Sequence, residues 1–153
     1  MLRQEINDAL KAAMKAQDRR ATSTLRLILA ALKDRDIAAR GGGGDDGGIP
    51  DEAVLEMLQK MIKQRHDSIE QYEKGGRADL VAQESEEIEI IARFLPKQLD
   101  EDEADQVLGE VVDELGATTI KDMGKVMAVL KERYAGRMDF SKAAALAKAR
   151  LGG

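Results

Sequence analysis

Apolar residues recur at spacings of three and four along nearly the whole chain, and glycine and proline cut that pattern into segments. Leu2, Ile6, Ala9, Leu10 and Ala13 form a first stripe, at the period of a helix with one buried face. A second runs through Leu25, Leu29 and Leu32 to about Arg40, with Thr22 or Ser23 as its candidate cap. Asp51 follows Pro50 and opens a third helix, in which Leu55, Leu58, Ile62, Ile69 and Tyr72 share a face. Running to Lys74, it would be about 36 Å long at 1.5 Å per residue. A fourth begins near Asp79 and turns Leu80, Ile88, Ile91 and Leu95 inward. No segment alternates apolar and polar residues with β-branched enrichment, so the chain is expected to be all-α.

Pro96 stops the fourth helix, and the pattern restarts on a smaller scale. Asp100, Glu101, Asp102 and Glu103 place carboxylates in a first turn, where the helix dipole favours them. Val107, Leu108, Val111 and Leu115 then form the apolar face. A helix from about Ile120 to Tyr134 buries Met123, Met127, Leu130 and Tyr134, and Asp139 caps a last helix carrying Ala143, Ala144, Ala147 and Leu151. Gly116 and Gly136 stand where helix C-terminal caps are expected. The plan is a four-helix N-terminal domain over residues 1–95 and a small three-helix C-terminal domain over 96–153.

Several chemistries are excluded early. The chain has no cysteine and one histidine, His66, which removes disulfides, thiolate zinc sites, iron–sulfur clusters, a cysteine nucleophile and multi-histidine metal sites. Four aromatic residues, Tyr72, Phe94, Tyr134 and Phe140, are too few for a row of base-stacking platforms. The longest apolar run, Leu27 to Leu32, is six residues, against roughly 18 for a membrane span. Nothing at the N-terminus reads as a signal peptide. A soluble, cytoplasmic protein with no membrane association is the expectation.

The formal net charge of −5 conceals an arrangement. Residues 1–40 carry nine basic and five acidic side chains, a net of +4. Residues 41–115 carry seven and twenty-one, a net of −14, and residues 116–153 carry eight and three, a net of +5. Local charge of one sign bears on partners more than the total does. In the basic C-terminal stretch, Lys121 and Lys125 fall nearly opposite the Met123–Met127–Leu130–Tyr134 stripe at 100° per residue. Arg133 flanks that stripe, Arg137 sits in the following turn, and Lys142, Lys148 and Arg150 lie on the last helix. Such a set suits a phosphate backbone. The turn from Gly136 to Asp139 has helix-turn-helix length, but the alanines of the helix after it supply few groups to read base edges. Contact with phosphates and shape therefore fits better than sequence-specific DNA binding.

Other motifs have simpler accounts. His66, Asp67 and Ser68 are the residue types of a hydrolytic triad, yet consecutive positions on one helix do not converge. Glu84, Glu86, Glu87 and Glu89 lack the histidine three positions on that a di-iron site uses, and a solvated acidic face explains them. Glu84 falls within the Leu80–Ile88–Ile91 stripe and Arg65 interrupts the stripe of the third helix, so the two are expected to pair. The glycine-rich stretch Gly41–Gly48 contains Asp45 and Asp46 and lacks the Lys-Ser/Thr ending of a nucleotide-binding loop. It is expected to be a flexible loop. No catalytic residue, metal ligand or cofactor is assigned.

Leu25-Arg26, Ala30-Ala31-Leu32-Lys33, Lys63-Gln64-Arg65, Asp67 to Tyr72, Gly76 to Leu80 and Phe94 to Leu99, in that order, resemble the YqeY family. Met123-Gly124-Lys125-Val126-Met127 followed by Gly136-Arg137-Met138-Asp139 extends the resemblance to essentially the whole chain. That family is similar to the helical and tail domains of the GatB-type subunit of the tRNA-dependent amidotransferases. These are carbon–nitrogen ligases that amidate mischarged tRNA with ammonia from glutamine, and their tail domain helps hold the tRNA. The resemblance implies a two-domain helical protein contacting tRNA through its C-terminal domain, with Gly124, Lys125, Gly136 and Arg137 as motif positions. Met138 and Phe140 stand where small residues are more usual. The catalytic cradle of the GatB-type subunit has no counterpart here, and sharing a domain does not transfer an activity. A tRNA-binding or tRNA-associated protein is the leading expectation. A protein-interaction module, or an accessory partner of an amidotransferase or other translation protein, is the alternative.

Overall fold

The computed structural model describes residues 1–41 and 48–152. The expected loop at Gly41–Gly48 therefore lies almost wholly outside the described residues. The described residues form seven α-helices and no strand: α1 (Leu2–Lys15), α2 (Arg19–Gly41), α3 (Asp51–Lys74), α4 (Ala78–Ala92), α5 (Glu101–Leu115), α6 (Met123–Arg133, preceded by a 3-10 turn at Ile120–Asp122) and α7 (Phe140–Gly152). The helical periodicity alone demands this all-α class. The chain divides into two compact units, Met1–Leu95 and Pro96–Gly153.

In the first unit α1 and α4 pack on α2, and α3 runs along α4. Ile6, Leu25, Ile28, Leu32, Val54, Met57, Leu58, Ile90 and Ile91 fill the core. Two details depart from the periodicity. The cap of α2 is Asp18, whose carboxylate accepts from the Ala21 backbone N–H at 3.1 Å, so Thr22 and Ser23 lie inside the helix. The buried faces of α3 and α4 are also rotated from the expected stripes. Val54, Met57 and Met61 are buried where Leu55 and Ile62 are partly exposed, and Glu87 and Ile90 are buried where Leu80 and Ile88 are not fully covered.

That rotation changes an ion pair. Arg65 does not bond Glu84; its Nε donates to Glu87 Oε2 at 3.0 Å, and its Nη1 donates to the Met61 carbonyl at 3.0 Å. The pair is almost covered, with side chains 13% and 9% exposed. Glu84 sits one turn away, half-buried. Its carboxyl is pushed above the usual range by burial and by the Glu87 charge, against the pull of Arg65. A second clamp joins the ends of α1 and α2 to the chain leading into α3. Arg3 makes two bonds of 2.7 Å to Asp36 and one of 3.0 Å to the Ile49 carbonyl, and the Ile49 N–H returns a bond to Asp36 at 2.9 Å. The Arg3 guanidinium holds the Asp36 carboxyl below its ordinary range. Gly48, at φ +87°, passes so close that a Cβ would strike both side chains.

The second unit buries Leu108, Val111 and Val112 of α5, Val126 and Leu130 of α6, and Met138, Ala143, Ala147 and Leu151 around α7. Asp100 and Glu103 form a reciprocal capping box at α5, and Asp139 caps α7 by accepting from the Ser141 N–H at 2.9 Å. Gly116 caps α5 at φ +62°. Gly136 is not the cap residue of α6; it follows Tyr134, which is, and takes φ +75° within the next turn. Leu115, expected inside, is 40% exposed at the last position of α5. Met123, Met127 and Tyr134 are only partly buried, and Val126 takes the central place on α6.

Candidate nucleic-acid interface

The start of α6 is built by Asp122. Its Oδ2 accepts from the Thr118 and Thr119 N–H groups at 3.0 and 3.2 Å. Those bonds, with a smaller pull from Lys125, hold its carboxyl below the usual range. Lys121 and Lys125 flank it, both exposed on the side of the helix away from Val126 and Leu130. Neither forms an ion pair with another described residue. Gly124 stands between them, exposed, with nothing within 4 Å of where a Cβ would be. Glycine in a helix costs roughly 0.5–1 kcal/mol relative to alanine. No packing requirement of this unit explains it.

The arginines of the expected set are committed to the fold. Arg133 meets Glu114 of α5 through two bonds of 2.6 and 3.1 Å, which hold the Glu114 carboxyl below its usual range. Arg137 donates Nε to the Lys97 carbonyl at 3.0 Å, and its guanidinium lies 5.8 Å from the centre of the Tyr134 ring. Its own carbonyl accepts from the Leu99 N–H at 2.8 Å, and the Gly136 carbonyl accepts from the Gln98 side chain. The Pro96–Leu99 and Gly136–Asp139 segments, far apart in sequence, thus lock together inside the second unit. Sequence spacing offers no signal for that contact. Met138 is 4% exposed and belongs to the core, and Phe140 packs against it, which accounts for their size in this turn.

Lys142 and Lys148 are exposed on α7 and have no ion-pair partner among the described residues. Six positions correspond to a rotation of about 120°, so the helix presents them in different directions. Arg150 is bound to Asp105 of α5 at 3.0 Å. Lys121, Gly124 and Lys125 are thus all exposed around the start of α6, whereas Lys142 and Lys148 point in different directions on α7. In the first unit, His66 and Asp67 are exposed on successive positions of α3 and Ser68 is partly covered, an arrangement with no common proton path. The acidic row of α4 is not a uniform solvated face. Glu89 is exposed, Glu86 meets Arg20 at 3.0 Å, and Glu87 is the buried partner of Arg65. A cation interrupting the apolar stripe of α3 signals an acid on α4; choosing that acid requires the rotation of α4.

Helices in two units, with exposed lysines at the start of α6, define a two-unit helical protein. The chain belongs to the family described as Yqey-like protein, whose model matches residues 3–151. It is similar to proteins named altered inheritance of mitochondria protein 41, mitochondrial. The Lachancea thermotolerans protein is 41% identical over 86 residues, 56% of this chain and 43% of its own length. The Saccharomyces cerevisiae protein is 36% identical over 86 residues, 56% and 44% respectively. The Vanderwaltozyma polyspora protein is 29% identical over 121 residues, 74% and 62%. The matched stretch thus spans less than two thirds of these relatives. No described helix is long and apolar enough to cross a membrane.

Proposed function

We propose that this protein is a non-catalytic tRNA-binding or tRNA-associated protein, and that Lys121 and Lys125 at the start of α6 receive the phosphate backbone. The observation that carries the reading is Gly124. It is exposed, flanked by two uncommitted lysines, and unexplained by packing. Removing the side chain there lets an RNA backbone approach the helix closely, with both ammonium groups beside it. Lys142 and Lys148 add longer-range attraction, while Arg133 and Arg137 act by holding α5, α6 and the 97–99 segment in place. The resemblance to the tRNA-holding tail of the amidotransferases supports the choice of tRNA. The reading places the protein with translation in the cytoplasm, although the relatives above carry mitochondrial in their names.

The test is binding of total tRNA by fluorescence anisotropy across a salt series. K125Q should weaken binding of all tRNAs alike and lower the salt slope by about one phosphate contact. Absence of binding at low salt refutes the reading. Protein partners that persist in a pull-down from an RNase-treated extract would favour the protein-interaction alternative instead.

A further inference from the structure

The first unit carries a second basic surface that the C-terminal site does not use. On α2, Arg19, Arg26, Lys33 and Arg40 recur every seven residues, and all four are exposed. Seven residues advance a helix by about 10.5 Å and return to within ~20° of the same direction. The four cations therefore form one stripe about 32 Å long. The opposite face of α2, with Ala21, Thr24, Leu25, Ile28 and Leu32, is buried in the core, so the stripe faces outward as a matter of geometry. The carboxylate nearest to it, Asp36, lies about 40–60° off the stripe between Lys33 and Arg40 and is bound by Arg3 and the Ile49 N–H. Asp34 is about 100° around, and the Asp18 carboxylate is turned to the Ala21 N–H. None of the four cations makes an ion pair with a described residue, whereas Arg20, on the flank, is tied to Glu86. Arg40 acts on Asp36 only at longer range.

The N-terminal end of the stripe is concave. Met14, Gln17, Arg19, Thr22, Ser23 and Arg26 line a pocket of about 570 Å³ at the corner between α1 and α2. Arg19 and Arg26 are among the residues lining this open depression, no carboxylate is, and the Ser23 hydroxyl there donates to the Arg20 carbonyl at 3.1 Å.

We propose that this stripe and its pocket are a second RNA-binding surface, which takes the phosphodiester backbone of an RNA duplex. Charge complementarity decides the class of ligand: a straight row of cations, whose neighbouring acid Asp36 is already paired with Arg3, matches a polyanion with regularly spaced charges. A rigid helix holds those cations at fixed intervals, which suits the fixed phosphates of a duplex. A lipid surface fits less well, because binding in a bilayer interface needs a continuous apolar face beside the basic one. The exposed Leu27 and Ile37 lie about 80° apart on the helix and form no such face. The surface is independent of Gly124 and Lys125, which belong to the other unit.

The test uses the full chain and a fluorescently labelled RNA duplex of about 20 base pairs, followed by anisotropy between roughly 50 and 200 mM salt. The R19Q/R26Q/K33Q variant should bind roughly tenfold more weakly or worse, with a salt slope reduced by about two to three phosphate contacts. K60Q/K74Q, which removes two exposed charges from α3, should bind as wild type, and far-UV circular dichroism should be unchanged in both. In K121Q/K125Q the α2 contribution should persist, so combining the two sets should lower the slope further. Unchanged affinity and slope in the triple variant overturn the proposal. So does failure of the wild type to bind the duplex at the lowest salt, and so does α2-dependent binding confined to phosphatidylserine vesicles or to an acidic polypeptide.

Discussion

Replacing Glu87 by glutamine should destabilise the first unit, and the same change at Glu84, one helical turn away, should not. Glu87 is 7% exposed and accepts a 3.0 Å bond from Arg65. Removing one partner of a fully buried ion pair costs about 3–5 kcal/mol. A charge-assisted hydrogen bond contributes about 1.5–3 kcal/mol. Glutamine keeps an acceptor oxygen, and Arg65 keeps its bond to the Met61 carbonyl, so E87Q should fall near the lower figure, about 2 kcal/mol. Glu84 makes no bond to Arg65, is partly desolvated and is repelled by Glu87. E84Q should therefore be neutral or stabilising by about 0.3 kcal/mol, the scale of a like-charge pair on one helix face.

The two variants also differ in their response to pH. A carboxyl whose pKa is raised by folding weakens the folded state above that pKa and leaves it unaffected below the unfolded value. The E84Q advantage should thus be present at pH 7 and vanish as the pH falls through the range where Glu84 protonates. Urea denaturation followed by circular dichroism measures the changes, and amide exchange in α3 and α4 assigns them to the first unit. Equal costs for the two variants, or a larger cost for E84Q, would refute the assignment of Glu87 as the partner.

Four further variants have expected outcomes. Gln17 holds φ +57° at the end of α1, and the Asp18 N–H bonds the Ala13 carbonyl across it; Q17G should raise stability by about 0.5 kcal/mol, whereas G116A at φ +62° should lower it by about 1 kcal/mol, both read by thermal denaturation. The Thr24 hydroxyl is buried without a hydrogen-bond partner among the described residues, so T24V should stabilise by about 1 kcal/mol in urea. G124A should raise thermal stability by about 0.5–1 kcal/mol while weakening tRNA binding; a gain in stability with unchanged binding would remove the functional explanation of that glycine.

Much of the architecture was legible because helix formation is a local matter. The three-and-four spacing of Leu2, Ile6, Leu10 and Ala13, the cap at Asp139, the carboxylates opening α5 and the left-handed Gly116 each act within a turn or two of chain. The all-α class and the helix order follow from such features. Phase was harder to read. On α4, Ile88, Ile90 and Ile91 permit two rotations of the helix, and periodicity favours neither strongly. Packing against α3 buried Ile90, and Glu87 with it, so Arg65 found Glu87 and not Glu84.

The basic positions divide in the same way. Sequence alone determined that residues 1–40 and 116–153 carry excess positive charge and that Arg26, Lys33 and Arg40 recur every seven residues; the Asp18 cap then brought Arg19 into the same helix. Only tertiary structure decided which cations remain available. Arg133 and Arg150 are neutralised by Glu114 and Asp105 on another helix, and Arg137 is engaged by a segment 40 positions away. Net charge is a sum over the chain, but a free charge depends on what packing places within bonding distance. Those neighbours are distant in sequence, and periodicity carries no information about them.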